Sequence, residues 1–297
     1  MSRNQYGLSR HIPTDIALQI RQRSRFGCVI CRCAIYQYEH VDPKFVDAKE
    51  HDPDRICLLC GACHDRVTRG RISKETVLNQ YRNIQQNLDV ARPYEELDLA
   101  TRNISVVLGT ASFRGSKSLI QINNEELLSI ASPKDGAGFP TISGVFCNVR
   151  GNEIFRIKEN VWEGPLDVWD VSVVGRTVSI KADGDRLALV FEVEPPEVIR
   201  FRYMNMYKDN CHIVCDAEKL LVGQVYEGTS TYIGLGNFKC AGANPGVSVD
   251  SRKIKSPKLS GVRIIGGEGV LLDGTGIKVA VGAAQMWIQQ MKVWLHK

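Results

Sequence analysis

The sequence lacks any apolar run of about 20 residues, which is the length that a membrane-spanning helix requires. Its first residues, Met1-Ser2-Arg3-Asn4-Gln5, are polar and basic, and the apolar core of a secretory signal peptide does not follow them. We therefore expect a soluble, cytoplasmic protein that has no membrane partner. The composition is otherwise that of an ordinary globular chain, with 43% apolar and 24% charged residues in 297 positions.

A net charge is also absent from most of the chain. Residues 93–297 hold 23 basic and 23 acidic residues, whereas residues 1–92 hold 15 Lys or Arg and 10 Asp or Glu. The whole positive excess of +5 therefore belongs to the first third of the sequence. A basic region suits a polyanion such as a nucleic acid, and a solvated basic face explains the same charge equally well.

Disulfide bonds are not indicated, although the chain has ten cysteines. Six of them lie within positions 28–63, and in a reducing cytosol such a cluster is typical of metal binding. The other four are scattered and are expected to be small core residues. Within the cluster, two Cys-x-x-Cys pairs can each place both thiolates on one tetrahedral zinc ion. The predicted ligands of this structural zinc are Cys28, Cys31, Cys60 and Cys63. Cys33 and Cys57 are alternatives that the pair spacing favours less.

The hydrophobic patterns predict two domains. Helical patterns cover residues 13–25 and begin again at Ser73, whereas residues 103–240 contain short alternating or β-branched runs that turns separate. The second pattern is typical of an all-β domain. We predict a zinc-containing domain at residues 1–90, a linker at residues 91–102 and a β-rich domain at residues 103–297. The β-rich domain would serve targeting, regulation or oligomerisation.

An amphipathic helix is predicted close to the end of the sequence, at residues 284–295. Its apolar residues cover much of its surface, and such a helix most often packs on its own domain. The alternative is that the helix and the β-rich domain contact a second copy of the chain or a protein partner.

The residues around the cysteine pairs resemble those of a known enzyme family. Glu39-His40 lies between the two pairs, Pro43 follows His40 by three residues, and Cys60-x-x-Cys63-His64 follows the run Ile56-Cys57-Leu58-Leu59. This order resembles the HNH endonucleases, the ββα-metal finger nucleases with added zinc knuckles, over about residues 10–80. The resemblance implies a small zinc-stabilised ββα-metal (HNH) finger. Together with the hydrophobic patterns, it leads us to expect an α+β protein in which this finger precedes a larger all-β domain with a C-terminal helix.

The resemblance also implies a function, namely metal-dependent hydrolysis of phosphodiester bonds in DNA. His40 would be the general base, because an imidazole titrates near neutral pH. Glu39 and His64 would hold a catalytic Mg²⁺ or Mn²⁺ at a site distinct from the structural zinc. The alternatives are that His40 is a core histidine and that His64 replaces one cysteine at the zinc. The combination of domains suits restriction or anti-phage defence.

Four arginines are candidate contacts for the DNA backbone: Arg55, Arg66, Arg69 and Arg71. Arg55 stands where the family usually has Asn, a residue that helps to orient the base histidine. A guanidinium offers donors but no acceptor, so Arg55 cannot copy an amide carbonyl and is a phosphate contact instead. The other three lie on or after the predicted helix of His64, where a solvent-facing helix end is the alternative. Another histidine, His51, is expected at the surface of a polar loop.

Two further classes of function fit the sequence. The first is a zinc-stabilised nucleic-acid-binding protein without cleavage activity, in which Arg55 marks the loss of catalysis. The second is a structural or sensory protein that acts through its β-rich domain, with the finger serving only to dock that domain.

Overall fold

A computed structural model describes residues 3–279 apart from several short segments. These segments are residues 87–91, 100–103, 134–137, 149, 165–168, 183–185, 227–228, 236–238, 243, 252–261, 265–269 and 274–275. The chain divides into two compact units, Met1–Glu95 with Val161–Val173 and Glu96–Asn160 with Val174–Lys297. The domain limits that we predicted stay a prediction, and the helix predicted at 284–295 lies outside the described residues.

The first unit combines helices with a short β-hairpin. Its helices are α1 (Thr14–Arg23), α2 (Gly61–Thr68) and α3 (Lys74–Gln86), its hairpin strands are β1 (Gln37–His40) and β2 (Ile56–Leu59), and a 3₁₀ turn covers Phe45–Asp47. Pro13 precedes α1, where its missing N–H removes no helical hydrogen bond. Ile20 of α1 is fully buried and packs with Ile56 and Leu58 of β2. None of the helices in the described ranges is long and apolar enough to cross a bilayer.

The order of elements within this unit places the candidate site. Strands β1 and β2 are antiparallel, with Glu39 opposite Cys57 and His40 opposite Ile56. Helix α2 begins directly after Cys60, which follows the end of β2. Two paired strands and a helix therefore succeed one another, and Glu39 and His40 occupy the last two positions of β1.

A buried ion pair connects α1 to the segment Val161–Val173 of the same unit. Arg21, 7% exposed, donates from Nε and Nη2 to the two carboxylate oxygens of Asp170, each at 2.6 Å. Its Nη1 donates to the hydroxyl of Tyr38 at 2.5 Å. Burial alone would lower the pKa of Arg21, but the hydrogen bonds to Asp170 and the nearby tyrosines raise it above its ordinary value. Arg21 is therefore charged, and it fixes the strand residue next to Glu39.

Replacing Asp170 with alanine is expected to destabilise the first unit by about 3–5 kcal/mol, because it leaves a buried guanidinium without its counter-charge. Urea denaturation of the full chain measures this loss. Combining Arg21→Met with Asp170→Leu should recover much of the stability, since the charge is then absent. The matched control is Glu163→Gln, which breaks the more exposed Arg92–Glu163 pair and should cost less than about 1 kcal/mol. An equal effect of Asp170→Ala and Glu163→Gln would contradict this prediction.

The second unit is built of β-strands. Its strands are β3 (Ser105–Leu108), β4 (Ala111–Arg114), β5 (Ser118–Ile122), β6 (Glu125–Ala131), β7 (Thr141–Cys147), β8 (Glu153–Lys158), β11 (Thr177–Ala182), β12 (Arg186–Glu194), β13 (Val198–Lys208), β14 (Cys211–Cys215), β15 (Leu220–Tyr226), β16 (Thr229–Leu235), β17 (Lys239–Ala241), β18 (Val247–Val249), β19 (Val262–Ile264), β20 (Val270–Asp273) and β21 (Gly276–Val279). Strand β9 (Val161–Glu163) and all but the last residue of β10 (Trp169–Val174) belong instead to the first unit. The fold is thus α+β with a large β part, as the sequence predicts.

Most strands of the second unit pair in antiparallel fashion with the strand that precedes or follows them in the sequence. One sheet has the order β11-β12-β13-β14-β15-β16, and β3, which also pairs with β4, joins β13 in parallel. The other has the order β5-β6-β7-β8, with β18 parallel to β5. Alternate residues of strands such as β7 and β13 are buried, which is the period-2 pattern that the sequence shows. The four scattered cysteines are all buried, as expected: Cys147, Cys211, Cys215 and Cys240.

Candidate functional site

Four thiol groups converge in the first unit. The Sγ atoms of Cys28, Cys31, Cys60 and Cys63 all lie within 4.8 Å of one another. The pair Cys31–Cys60 is 3.6 Å apart, and a tetrahedral zinc ion with Zn–S bonds of about 2.3 Å separates its sulfurs by about 3.8 Å. Four soft thiolates at this spacing are a donor set for zinc rather than for magnesium. The residues therefore fit a structural zinc ion.

The first cysteine pair lies in a tight turn between α1 and β1. The N–H of Cys28 donates to the carbonyl of Cys33 at 2.9 Å, and the N–H of Arg32 donates to the carbonyl of Cys28 at 2.9 Å. Arg32 has φ +67°, a left-handed conformation that closes the turn. Its buried guanidinium donates to the carbonyl oxygens of Cys28 and Ser24. The N–H of Val29 donates to the carbonyl of Leu58 at 2.9 Å, which attaches the turn to β2.

The second cysteine pair opens helix α2. Cys60 is the residue that caps this helix, and its Sγ accepts a hydrogen bond from the N–H of Cys63 at 3.4 Å. Burial opposes ionisation of Cys60, but this N–H and the side chains of Cys31 and Cys63 lower the pKa of the Cys60 thiol. Burial raises the pKa of the Cys31 thiol to about 11. Zinc must displace a proton there, so its affinity depends on pH.

The other candidate ligands lie outside this group. Cys33 contacts a carboxylate oxygen of Glu95 at 3.2 Å, and Cys57 is fully buried on β2 opposite Glu39. His64 follows Cys63 but its Nε2 lies 2.9 Å from Oε2 of Glu39. Among the described residues, the four-cysteine group is the one set of three or more potential ligands whose atoms cluster closely enough to hold a metal ion.

Glu39 and His64 form a second pair of potential ligands, between the end of β1 and the first turns of α2. Their 2.9 Å separation suits a hydrogen bond or an ion pair. It also equals the distance between neighbouring ligand atoms of an octahedral ion with bonds of about 2.0–2.1 Å. The two side chains are 18% and 36% exposed, respectively, so solvent or a ligand can reach them. The binding of a catalytic Mg²⁺ or Mn²⁺ by this pair stays a prediction.

His40 and His51 form a third pair. Nε2 of His40 lies 3.2 Å from Nδ1 of His51, and the edge of the Phe45 ring packs against His40 with 5.3 Å between ring centroids. Burial, followed by electrostatic interactions with His51, Arg10 and Lys74, lowers the pKa of His40 to about 4. His40 is therefore neutral at pH 7, in the form that can accept a proton.

The interpretation of His51 as a surface residue is wrong, because its side chain is 8% exposed. The loop between β1 and β2 brings the ring of His51 against that of His40. The sequence signal was a polar, proline-containing segment, which describes the loop as a whole and not the direction of one side chain. Nothing in the residue pattern distinguishes His51 from its exposed neighbours.

Two cations besides the four candidate arginines lie near His40. Lys74, at the start of α3, donates from Nζ to the carbonyl of Val41. Burial lowers the pKa of Lys74, although the nearby charge of Glu39 opposes this shift. The guanidinium of Arg10 lies 4.6 Å from the centroid of the Phe45 ring, the ring that packs on His40. Positive charge is therefore present near the end of β1.

The four arginines predicted to contact DNA are all exposed. Arg55 pairs with Asp42 at 3.4 Å and with Asp52 at 3.5 Å, so it connects two positions of the loop between β1 and β2. Arg69 pairs with Asp65 one helical turn earlier at 2.9 Å. Arg66 and Arg71 lie at the end of α2 and just beyond it, where the N–H of Arg71 donates to the carbonyl of Arg66. Their contact with DNA stays a prediction.

Comparison of the chain with protein-family models, with curated proteins and with solved structures gave no match.

Proposed function

We propose that this protein is a metal-dependent DNA endonuclease of the HNH type, with its nuclease site at the end of β1 and the start of α2. The observation that carries the proposal is the 2.9 Å approach of Glu39 to His64 beside His40, in an element order of two strands and a helix beside four clustered cysteines. Restriction or anti-phage defence is the setting that we propose for an enzyme with a separate β-rich unit.

His40 is the general base of this proposal. Its low pKa keeps the imidazole neutral, and Nε2 already lies within hydrogen-bonding distance of His51. Nδ1 is therefore the atom left to accept a proton from water. Positioned acid–base groups of this kind contribute typically about 10²–10⁴-fold to a rate.

The other residues bind and orient the substrate. Glu39 and His64 would hold a divalent ion, which when bound supplies Lewis acidity at the scissile phosphate. Lys74 and Arg10 add positive charge near His40, and the exposed arginines of α2 add more at a distance. Contacts of this type position a phosphate backbone without selecting a sequence. The structural zinc holds β2 and α2 to the first cysteine turn and takes no part in hydrolysis.

Nicking of supercoiled plasmid DNA tests the proposal. The wild-type chain is expected to convert plasmid to the nicked or linear form with Mg²⁺ or Mn²⁺ and to stop when EDTA is added. Because EDTA can also remove zinc, zinc content is measured after the treatment, and activity should return when Mg²⁺ alone is restored to a zinc-loaded sample. Cleavage that continues in EDTA, or no cleavage with either metal, would overturn the proposal.

The second candidate is a zinc-stabilised nucleic-acid-binding protein without cleavage. The pairing of Arg55 with Asp42 and Asp52 favours it, because an arginine so engaged leaves the histidine without the amide that working family members usually have. A gel shift that needs no Mg²⁺, together with intact plasmid, would support this candidate. Neither shift nor cleavage would support a structural or sensory role.

A further inference from the structure

The loop between β1 and β2 contains a buried histidine that the proposed mechanism does not yet use. His51 is 8% exposed, and its Nε2 atom is buried with no hydrogen-bond partner among the described residues. Its Nδ1 atom lies 3.2 Å from Nε2 of His40. His51 thus differs from the exposed loop residues around it, because its ring is buried and its single polar contact is with the candidate base.

Two imidazole nitrogens at this distance need one proton between them. If both were bare, their lone pairs would repel each other, and if both carried protons, the hydrogens would collide. One nitrogen therefore donates and the other accepts, so the tautomer of His51 determines the tautomer of His40. Just two arrangements of the neutral pair satisfy this condition.

In the first arrangement, His40 donates from Nε2 and His51 accepts at Nδ1, so both rings carry their proton on Nε2. In the second, both rings carry it on Nδ1, and His40 can no longer accept a proton there. The Nε2–H form is intrinsically the more stable tautomer of a neutral histidine side chain. Both rings have this form in the first arrangement, so the preference favours that arrangement at each of the two histidines. It acts against the energetic cost of burying the Nε2–H of His51 without a hydrogen-bond partner.

We propose that His51 is a positioning residue that accepts a hydrogen bond from His40 and so keeps Nδ1 of His40 free to take a proton. The inference rests on the proposed function for the use of that base, while the histidine pair itself does not depend on it. Phe45 packs against the ring of His40 with an interplanar angle of 67°. Contact with Phe45 and the hydrogen bond to His51 together hold the imidazole in one orientation.

Arg55 cannot perform this task. Its guanidinium has donors and no acceptor, it is 52% exposed, and its contacts are the carboxylates of Asp42 and Asp52. His51 supplies the acceptor that Arg55 lacks. In this chain the orienting group therefore comes from the loop four residues before Arg55.

The tautomers are read directly by long-range ¹H–¹⁵N spectra of the histidine rings in the zinc-loaded full chain. We expect both rings in the Nε2–H form at neutral pH. In His51→Phe, which keeps a ring but removes the acceptor, His40 should become a mixture of tautomers. An Nδ1–H form of His40 in the wild type, or an unchanged His40 spectrum in His51→Phe, would overturn the proposal whether or not the protein cleaves DNA.

Plasmid cleavage by the variants tests the positioning role. His51→Phe is expected to lower kcat by about 10–100-fold, the usual cost of losing an orienting partner, with KM for DNA unchanged. His51→Asn presents an amide oxygen close to the position of Nδ1 and should recover most of the rate. Zinc content and circular dichroism verify folding of both variants, and His11→Asn, at an exposed histidine, is the matched control.

The results separate the two proposals. If the wild type does not cleave DNA, the proposed function fails and the spectra still decide whether the pair exists. If the wild type cleaves and His51→Phe cleaves as fast, the positioning role fails and the nuclease stands. A loss in His51→Phe that His51→Asn does not recover would also count against positioning, because filling the space would then matter more than the acceptor.

Discussion

Replacing Cys60 with serine is expected to release one zinc ion per chain and to unfold the first unit, with the second unit left folded. A hydroxyl is a far weaker zinc ligand than a thiolate, and structural zinc sites contribute about 10–16 kcal/mol of apparent binding free energy to folding. Cys60 also caps α2 through its contact with the N–H of Cys63. Elemental analysis measures the zinc, and limited proteolysis shows which part of the chain becomes accessible.

Cys33→Ser is the matched control for the zinc prediction. Cys33 lies next to the same turn but contacts Glu95 and the carbonyl of Ile35 instead of the other thiols. Serine can keep those hydrogen bonds, so this variant should retain its zinc and its fold. A Cys60→Ser protein that holds a full equivalent of zinc would contradict the four-cysteine site, and loss of zinc from Cys33→Ser would call for a different ligand set.

The zinc cluster could be predicted because its information is local. Two residues between paired cysteines fix the reach of both thiolates, and the 28 residues between the pairs suffice for a hairpin that returns the chain to its starting point. The same is true of α1, α3 and the alternating strands, whose buried positions follow helical or strand periodicity. Each of these features depends on residues close together in the sequence.

Contacts between distant residues could not be predicted in this way. The helical pattern of residues 13–25 gives no sign of a partner for Arg21, yet Arg21 is buried against Asp170, a residue 149 positions later. The N–H of Trp162 donates to the carbonyl of Pro93 at 2.9 Å. This bond lies within the first unit, which includes the segment Val161–Val173, and periodicity alone does not assign that segment to it. Such pairings depend on tertiary packing, and a single sequence carries no record of them.

The candidate catalytic residues are an intermediate case. The order of Glu39, His40 and His64 indicated that they act together, and the structure brings Glu39 to His64 across β1 and α2. It places His40, the next residue along β1, against His51 and Phe45. A motif specifies which residue types occur, whereas the orientation of each ring depends on the loop that packs against it.

Replacing His40 with alanine is expected to lower metal-dependent plasmid nicking by about 10²–10⁴-fold, the usual contribution of a positioned base. The reason is that no other neutral imidazole on the described part of the site is free to take the proton of water. His64 faces Glu39, and His51 is buried behind His40. Initial rates on supercoiled plasmid, at saturating Mg²⁺ and over a range of DNA concentrations, separate kcat from KM.

Binding and folding should survive this substitution, and that distinguishes a lost base from a damaged fold. His40 is only half-buried at the end of β1, so His40→Ala should keep its zinc and should shift DNA in gels as the wild type does. His40→Gln keeps the polar volume but offers no basic nitrogen, and it should be as inactive as His40→Ala. His11→Ala is the matched control on an exposed histidine. If His40→Ala nicked plasmid as fast as the wild type, His40 would not be the base, and the core-histidine interpretation of this residue would stand.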